Sequence, residues 1–122
     1  MHVELTNRLI GLAIEVHRKT GPGLLESAYE GCLCQELTGA GIQFQRQVAV
    51  PIFYKGAQLE AGFRADIVVD HLVILEIKAA TSILPVHEAQ LQTYLRMSGI
   101  RLGLILNFNA SRLKDGLRRI VV

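Results

Sequence analysis

Three charged residues stand inside apolar runs: Asp66 before Ile67-Val68-Val69, and Glu76 and Lys78 after Val73-Ile74-Leu75. Charge among apolar neighbours is costly unless it is paired or binds an ion. Glu76 and Lys78 are two apart, so in a strand both point to one face while Ile77 points to the other. Register decides whether they meet Asp66. A two-residue turn at Asp70-His71 would pair Asp66 with Leu75 and leave the two acids on opposite faces. A three-residue loop, or one β-bulge, sets Asp66 directly across from Glu76, roughly 5 Å apart at Cβ. The second arrangement is the one adopted. It gives two carboxylates side by side and an ammonium one step along the same face. Bare like charges at that distance repel, and one is forced to take a proton. A divalent cation removes the conflict, because Mg²⁺ accepts one or two carboxylates and keeps its remaining positions for water and phosphate oxygens.

The elements that must position these groups are punctuated by glycine and proline. Leu5, Leu9, Leu12, Ala13 and Val16 recur at helical spacing between Glu4, Arg8, Glu15, Arg18 and Lys19, which predicts an amphipathic helix over residues 3 to 19. Thr20-Gly21-Pro22-Gly23 stops it. A second helix is expected from Leu24 to Thr38, closed by Gly39-Ala40-Gly41. Residues 47 to 54 read as a strand, Lys55 to Gln58 as a turn, Leu59 to Val69 as a strand, and Leu72 to Ala79 as the next. Apolar residues of both parities before Glu76 mark that last strand as central and covered on both faces. Pro85 opens a third helix that reaches Met97, Gly99 closes it, and Arg101 to Phe108 suits a buried strand. The tail from Ser111 to Val122 reads equally as a short helix or a last strand. The order is helix, helix, three strands, helix, strand: an α/β chain in the α+β sense, with a mixed sheet flanked by helices.

With 122 residues, half of them apolar and a fifth charged, residues 1 to 122 make a single globular domain. A net charge of +2 is too weak a field to argue nucleic-acid binding by itself. No apolar stretch approaches the roughly eighteen residues of a membrane span, so no membrane partner is expected. Met1-His2-Val3-Glu4 lacks the start of a secretory signal. Cys32 and Cys34, two apart on a helix, point away from each other and cannot bridge. A reducing, cytoplasmic setting follows.

Asp66, nine intervening residues and Glu76-Ile77-Lys78 resemble the core of the PD-(D/E)XK nuclease superfamily. Gly23-Leu24-Leu25-Glu26-Ser27-Ala28-Tyr29 resembles the motif of the small bacterial GxxExxY family within it. Arg64-Ala65-Asp66, Glu76 to Ala79, Gln90, Tyr94 and Gly103 to Phe108 extend the resemblance over nearly the whole chain. Ala65 stands where many members have proline. The resemblance implies a restriction-endonuclease-like core and a hydrolase acting on phosphodiester bonds of nucleic acid, DNA or RNA. It implies that Asp66, Glu76 and the backbone carbonyl of Ile77 hold Mg²⁺ or Mn²⁺, and that Lys78 orients the attacking water or stabilises transition-state charge. Glu26 would add a carboxylate from the second helix, with Tyr29 on the same helical face. Gln90 and Tyr94 would line the site.

Plainer readings stand beside these. Glu76 and Lys78 could form an ordinary salt bridge on an edge strand, and Glu26 could be a first-turn carboxylate favoured by the helix dipole. Tyr29 suits a core position with its hydroxyl at the rim. Gln90 could be solvated and Tyr94 could be packing. Arg64 could pair with Asp66 or reach a phosphate. His87, on the face of Gln90, could assist a proton transfer or sit at the surface. At the level of the whole chain, a metal-dependent nuclease competes with a catalytically silent module of the same fold that binds nucleic acid or a protein. A structural subunit whose first helix docks elsewhere is the third reading. So small a domain has little surface for reading sequence, which points to weak specificity, a homodimer or a partner that brings the substrate.

Overall fold

Leu9, Ala13 and Val16 recur on one face of the first helix, and all three are buried. The computed structural model describes residues 1–122, apart from the side chains of Glu60 and Ala61. Its elements are α1 (Val3–Thr20), α2 (Glu26–Gly39), β1 (Phe44–Tyr54), β2 (Ala57–Val69), β3 (Val73–Lys78), α3 (Pro85–Ser98) and β4 (Leu102–Asn107). A short 3₁₀ turn (Leu113–Gly116) then leads into β5 (Leu117–Val121). The five strands lie in sequence order, β1-β2-β3-β4-β5. Every neighbouring pair is antiparallel except β3 and β4, which run parallel. A parallel pair cannot be joined by a tight turn, and α3 supplies the crossover.

The mixed sheet is covered on both faces. Ile67, Leu75, Ile77 and Leu104 pack with Leu9, Leu33 and Leu37 of α1 and α2. On the other face Val68, Ile74 and Ile105 pack with Leu91, Tyr94 and Leu95 of α3. The five residues Val73 to Ile77 and all of β4 are buried, the pattern of central strands with a layer above and below. Gly103 lets α3 sit this close, because a Cβ there would lie 2.9 Å from the Leu91 side chain.

Several boundaries differ from the sequence reading, each for a local reason. The tail is both things offered for it, a 3₁₀ turn and then a strand, because Arg118 to Val121 pair with β4. The turn after β1 shrinks to Lys55-Gly56, whose φ values of 48° and 82° suit a two-residue hairpin loop, and β2 therefore begins at Ala57. The first helix is not left free for docking elsewhere, since its apolar stripe is spent on the core. Among the described residues no helix is long and apolar enough to cross a membrane.

The second helix begins at Glu26 rather than Leu24, and Tyr29 accounts for the delay. Its ring is fully buried and stacks on Phe108 at 4.6 Å. Its hydroxyl donates to the Gly21 carbonyl at 2.6 Å and accepts the Leu24 N–H at 3.0 Å, which ties the Gly21–Leu24 loop to the core. Tyr29→Phe removes both bonds and keeps the packing, so it lowers stability by about 1 kcal/mol. Urea unfolding checks this, and an unchanged midpoint would show that the hydroxyl does not hold the loop.

Candidate active site

The loop between β2 and β3 is Asp70-His71-Leu72, the three-residue length that brings the acids together. Asp70 and His71 have φ of 51° and 56°, and the Leu72 N–H closes the turn onto the Val69 carbonyl at 2.9 Å. Pairing runs Val69 with Val73, Val68 with Ile74 and Ile67 with Leu75. One further step in this register points Asp66 at Glu76, but backbone pairing stops at Ile67 and Leu75.

At that step the ladder changes character. Asp66 Oδ2 accepts the Ile77 N–H at 2.8 Å, and the Asp66 N–H donates to Glu76 Oε1 at 3.3 Å. Side-chain carboxylates have taken the place of backbone carbonyls. Alternation along β2 also breaks here, since Ala65 and Val68 pack on the α3 face and Ile67 on the other. Beyond Ile67, β2 pairs with β1 and no longer with β3. The strands part at Asp66, and groups from both sides of the sheet converge on the gap.

Burial then decides the charge. Glu76, only 6% exposed, has its carboxyl pushed up to about 8, first by burial and then by the negative charge of Asp66; the Asp66 N–H and Lys78 oppose the shift. Asp66 is also raised, by burial and by Glu30, against the lowering effects of the Ile77 N–H, Lys78 and Gln47. The Tyr94 hydroxyl is pushed up to about 12, by burial and then by the charges of Glu76 and Asp66. Without a cation, burial and the neighbouring acid both favour a proton on the pair.

Of the other residues singled out in the sequence, Glu26 and Tyr94 reach this place. Glu26 Oε2 accepts the Ala79 N–H at 3.3 Å, just past the end of β3. Tyr94 is buried on α3 against Phe63, with ring centroids 4.6 Å apart. Gln90 is half-buried one helical turn before it. Three residues sort among the readings offered for them. Tyr29 does not line the site, because its ring lies wholly in the core. Arg64 makes no ion pair with Asp66; its Nη1 donates outward to the Gln47 carbonyl at 3.1 Å. His87 is occupied locally, its Nδ1 accepting the Leu84 N–H at the start of α3. The salt-bridge reading of Glu76 and Lys78 also falls: β3 is central and, among the described residues, the two form no ion pair.

Residues not anticipated from the sequence complete the site. Glu30, 5% exposed, receives Arg46 at 2.9 Å and Gln47 Nε2 at 2.9 Å. The same Gln47 nitrogen lies 3.4 Å from Asp66 Oδ1. A cavity of about 440 Å³ is lined by Glu26, Ser27, Glu30, Arg46, Gln47 and Asp66. The available signal was the spacing of Glu26 and Glu30, one helical turn apart on one face.

The family model described as the PD-(D/E)XK nuclease superfamily matches residues 3–120. The chain belongs to that superfamily. Comparison with curated proteins found no match. Comparison with solved structures found none either. The mixed sheet with flanking helices is the restriction-endonuclease-like arrangement of PD-(D/E)XK domains, and nuclease-type function is what membership suggests. Members of the superfamily generally use divalent metals.

The donors present fit a hard divalent ion in part. Among the described residues, no three His, Cys, Asp or Glu groups form a ready-made metal cluster. Two adjoining carboxyls whose ionisation is opposed by burial and by each other are nevertheless the oxygen donors Mg²⁺ accepts while keeping its waters. The sign of the proton linkage is testable. In the metal-free chain Glu76 ionises near 4.5 when unfolded and near 8 when folded. The folded state therefore holds the extra proton between those values, and stability falls as pH rises through that window. Glu76→Gln removes this slope, so its stability advantage over wild type grows from pH 5 to pH 8 by on the order of a few kcal/mol. Urea unfolding in EDTA across that range checks it, and parallel profiles would contradict a shared proton.

Proposed function

We propose that the chain is a metal-dependent nuclease of the GxxExxY type, hydrolysing phosphodiester bonds in nucleic acid. The observation that carries this reading is the hydrogen-bonded meeting of Asp66 with Glu76 and Ile77, with Lys78 on the face of Glu76, at the parting of two strands in a chain of this superfamily. Asp66 and Glu76 would hold Mg²⁺ or Mn²⁺, with the Ile77 carbonyl beside them. When bound, the ion polarises the phosphate and lowers the pKa of its water. The chain's own groups do the rest. Glu76 would bind such an ion as the carboxylate, releasing to solvent any proton that burial holds on it. The Lys78 ammonium orients the attacking water and stabilises charge that grows in the transition state. Glu26, fixed by the Ala79 N–H, offers a carboxylate from α2 to a water at the rim. Lys78 is half-buried at the end of β3, on the face of Glu76. Free Cys32 and Cys34 suit a reducing, cytoplasmic setting. The small surface suits weak specificity, a homodimer or a helper that delivers the substrate.

One observation favours a second reading, a module that binds without cutting. Both Asp66 oxygens are engaged within the chain, by Ile77 and by Gln47. A single experiment separates the two. Purified chain is incubated with labelled DNA and RNA in Mg²⁺, Mn²⁺ or EDTA, beside Asp66→Ala and Lys78→Ala. The nuclease reading predicts metal-dependent cleavage, lowered by about 10²-fold or more in either variant. Binding that persists in EDTA, is unchanged in Lys78→Ala and is never followed by cleavage would establish the silent module instead.

A further inference from the structure

The cavity beside the acid pair has a charge problem. Glu26, Glu30 and Asp66 all line it, and a nucleic-acid backbone entering it is itself a polyanion. Among the described lining residues the cation is Arg46. Its Nε and Nη2 both engage Glu30 Oε2, at 3.0 and 2.9 Å, and Glu30 Oε1 is taken by Gln47. The Arg46 side chain is nevertheless 46% exposed, whereas that of Glu30 is 7% exposed. A buried carboxylate is a poor way to stabilise a fold, since an apolar residue of like volume commonly does as well. It is a good way to fix a guanidinium, because a fork held along one edge presents its other edge in a set direction.

The backbone supports the same picture. Gln47 sits within β1 at φ 52°, a conformation that a residue with a side chain rarely adopts in a strand. It is held there by its amide on Glu30 and by the Arg64 guanidinium on its carbonyl. Strain of this kind persists where the surroundings over-determine it, and functional sites are where it concentrates. Its effect here is to turn the Gln47 amide toward both Glu30 and Asp66 while Arg46 borders the cavity.

We infer that Arg46 is a substrate-binding residue that takes a backbone phosphate of the nucleic acid next to the acid pair, and that Glu30 is the positioning residue that aims it. The inference rests on the nuclease reading and names how the substrate is held. Glu30 acts by geometry, so removing its charge harms binding although it makes the cavity less negative.

Fluorescence anisotropy with a fluorescein-labelled oligonucleotide, single-stranded and duplex, tests this across a series of KCl concentrations, in EDTA and separately with Ca²⁺. Arg46→Ala weakens binding of both probes and lowers the slope of log affinity against log salt by about 0.7 for the single strand and about 0.9 for the duplex. Glu30→Gln keeps Arg46 yet weakens binding. The double variant Arg46→Ala, Glu30→Gln removes both charges of the pair together, keeps the reduced slope, and remains readable if either single variant fails to fold. A wild-type slope in Arg46→Ala or in the double variant, or tighter binding in Glu30→Gln, overturns the inference and leaves the nuclease reading standing. Wild-type chain that binds neither probe in either condition overturns both.

Discussion

At one point in the sheet a carboxylate does the work of a backbone carbonyl. Asp66 Oδ2 accepts the Ile77 N–H that a regular ladder would give to β2, and Glu76 Oε1 receives the Asp66 N–H in return. Leaving a buried N–H without a partner costs about 1–3 kcal/mol, so the exchange fixes both acids while letting the strands separate. Asp66 is thereby both the last tie between β2 and β3 and the first wall of the cavity. The loop Asp70-His71-Leu72 sets this register, and a slip of one residue would turn Glu76 and Lys78 to the other face.

The same layers that make the fold perturb the acids at its centre. Helices on both faces of β3 bury Val73 to Ile77, and Glu76 shares that dry environment. An isolated carboxyl there is neutral; a second one beside it deepens the effect. The place where the sheet is best covered is therefore the place where a divalent cation would be most welcome. β2 leaves β3 at Asp66, and there Glu26 takes the Ala79 N–H while Glu30 is linked to Asp66 through the Gln47 amide.

Much of this was legible from residue order, because the strand period is two and the hydrophobic runs are long. The central position of β3 and the shared face of Glu76 and Lys78 follow from apolar residues on both parities before Glu76 and from the strand period, whereas the loop length was chosen only as one of two ways to bring the acids together. Pro85 and Gly99 marked the third helix, and the apolar run from Arg101 to Phe108 marked β4, in the right order. What escaped has physical causes. Glu30, Arg46 and Gln47 lie on two elements, and a left-handed φ at Gln47 joins them; no periodicity announces such a residue. Arg64 was placed by type and spacing, yet the backbone carbonyl of Gln47 claimed it. The tail carried Arg118 and Arg119 on an edge strand, where exposed charge hides the apolar alternation that would mark a strand.

The central claim is that Asp66 and Glu76 form one oxygen-donor site for a divalent cation. Anomalous diffraction from a crystal soaked in Mn²⁺ tests it most directly. The account requires a peak in contact with both carboxylates, in the gap between β2 and β3. A map with no peak there, in crystals whose two carboxylates point to opposite sides of the sheet, would contradict it.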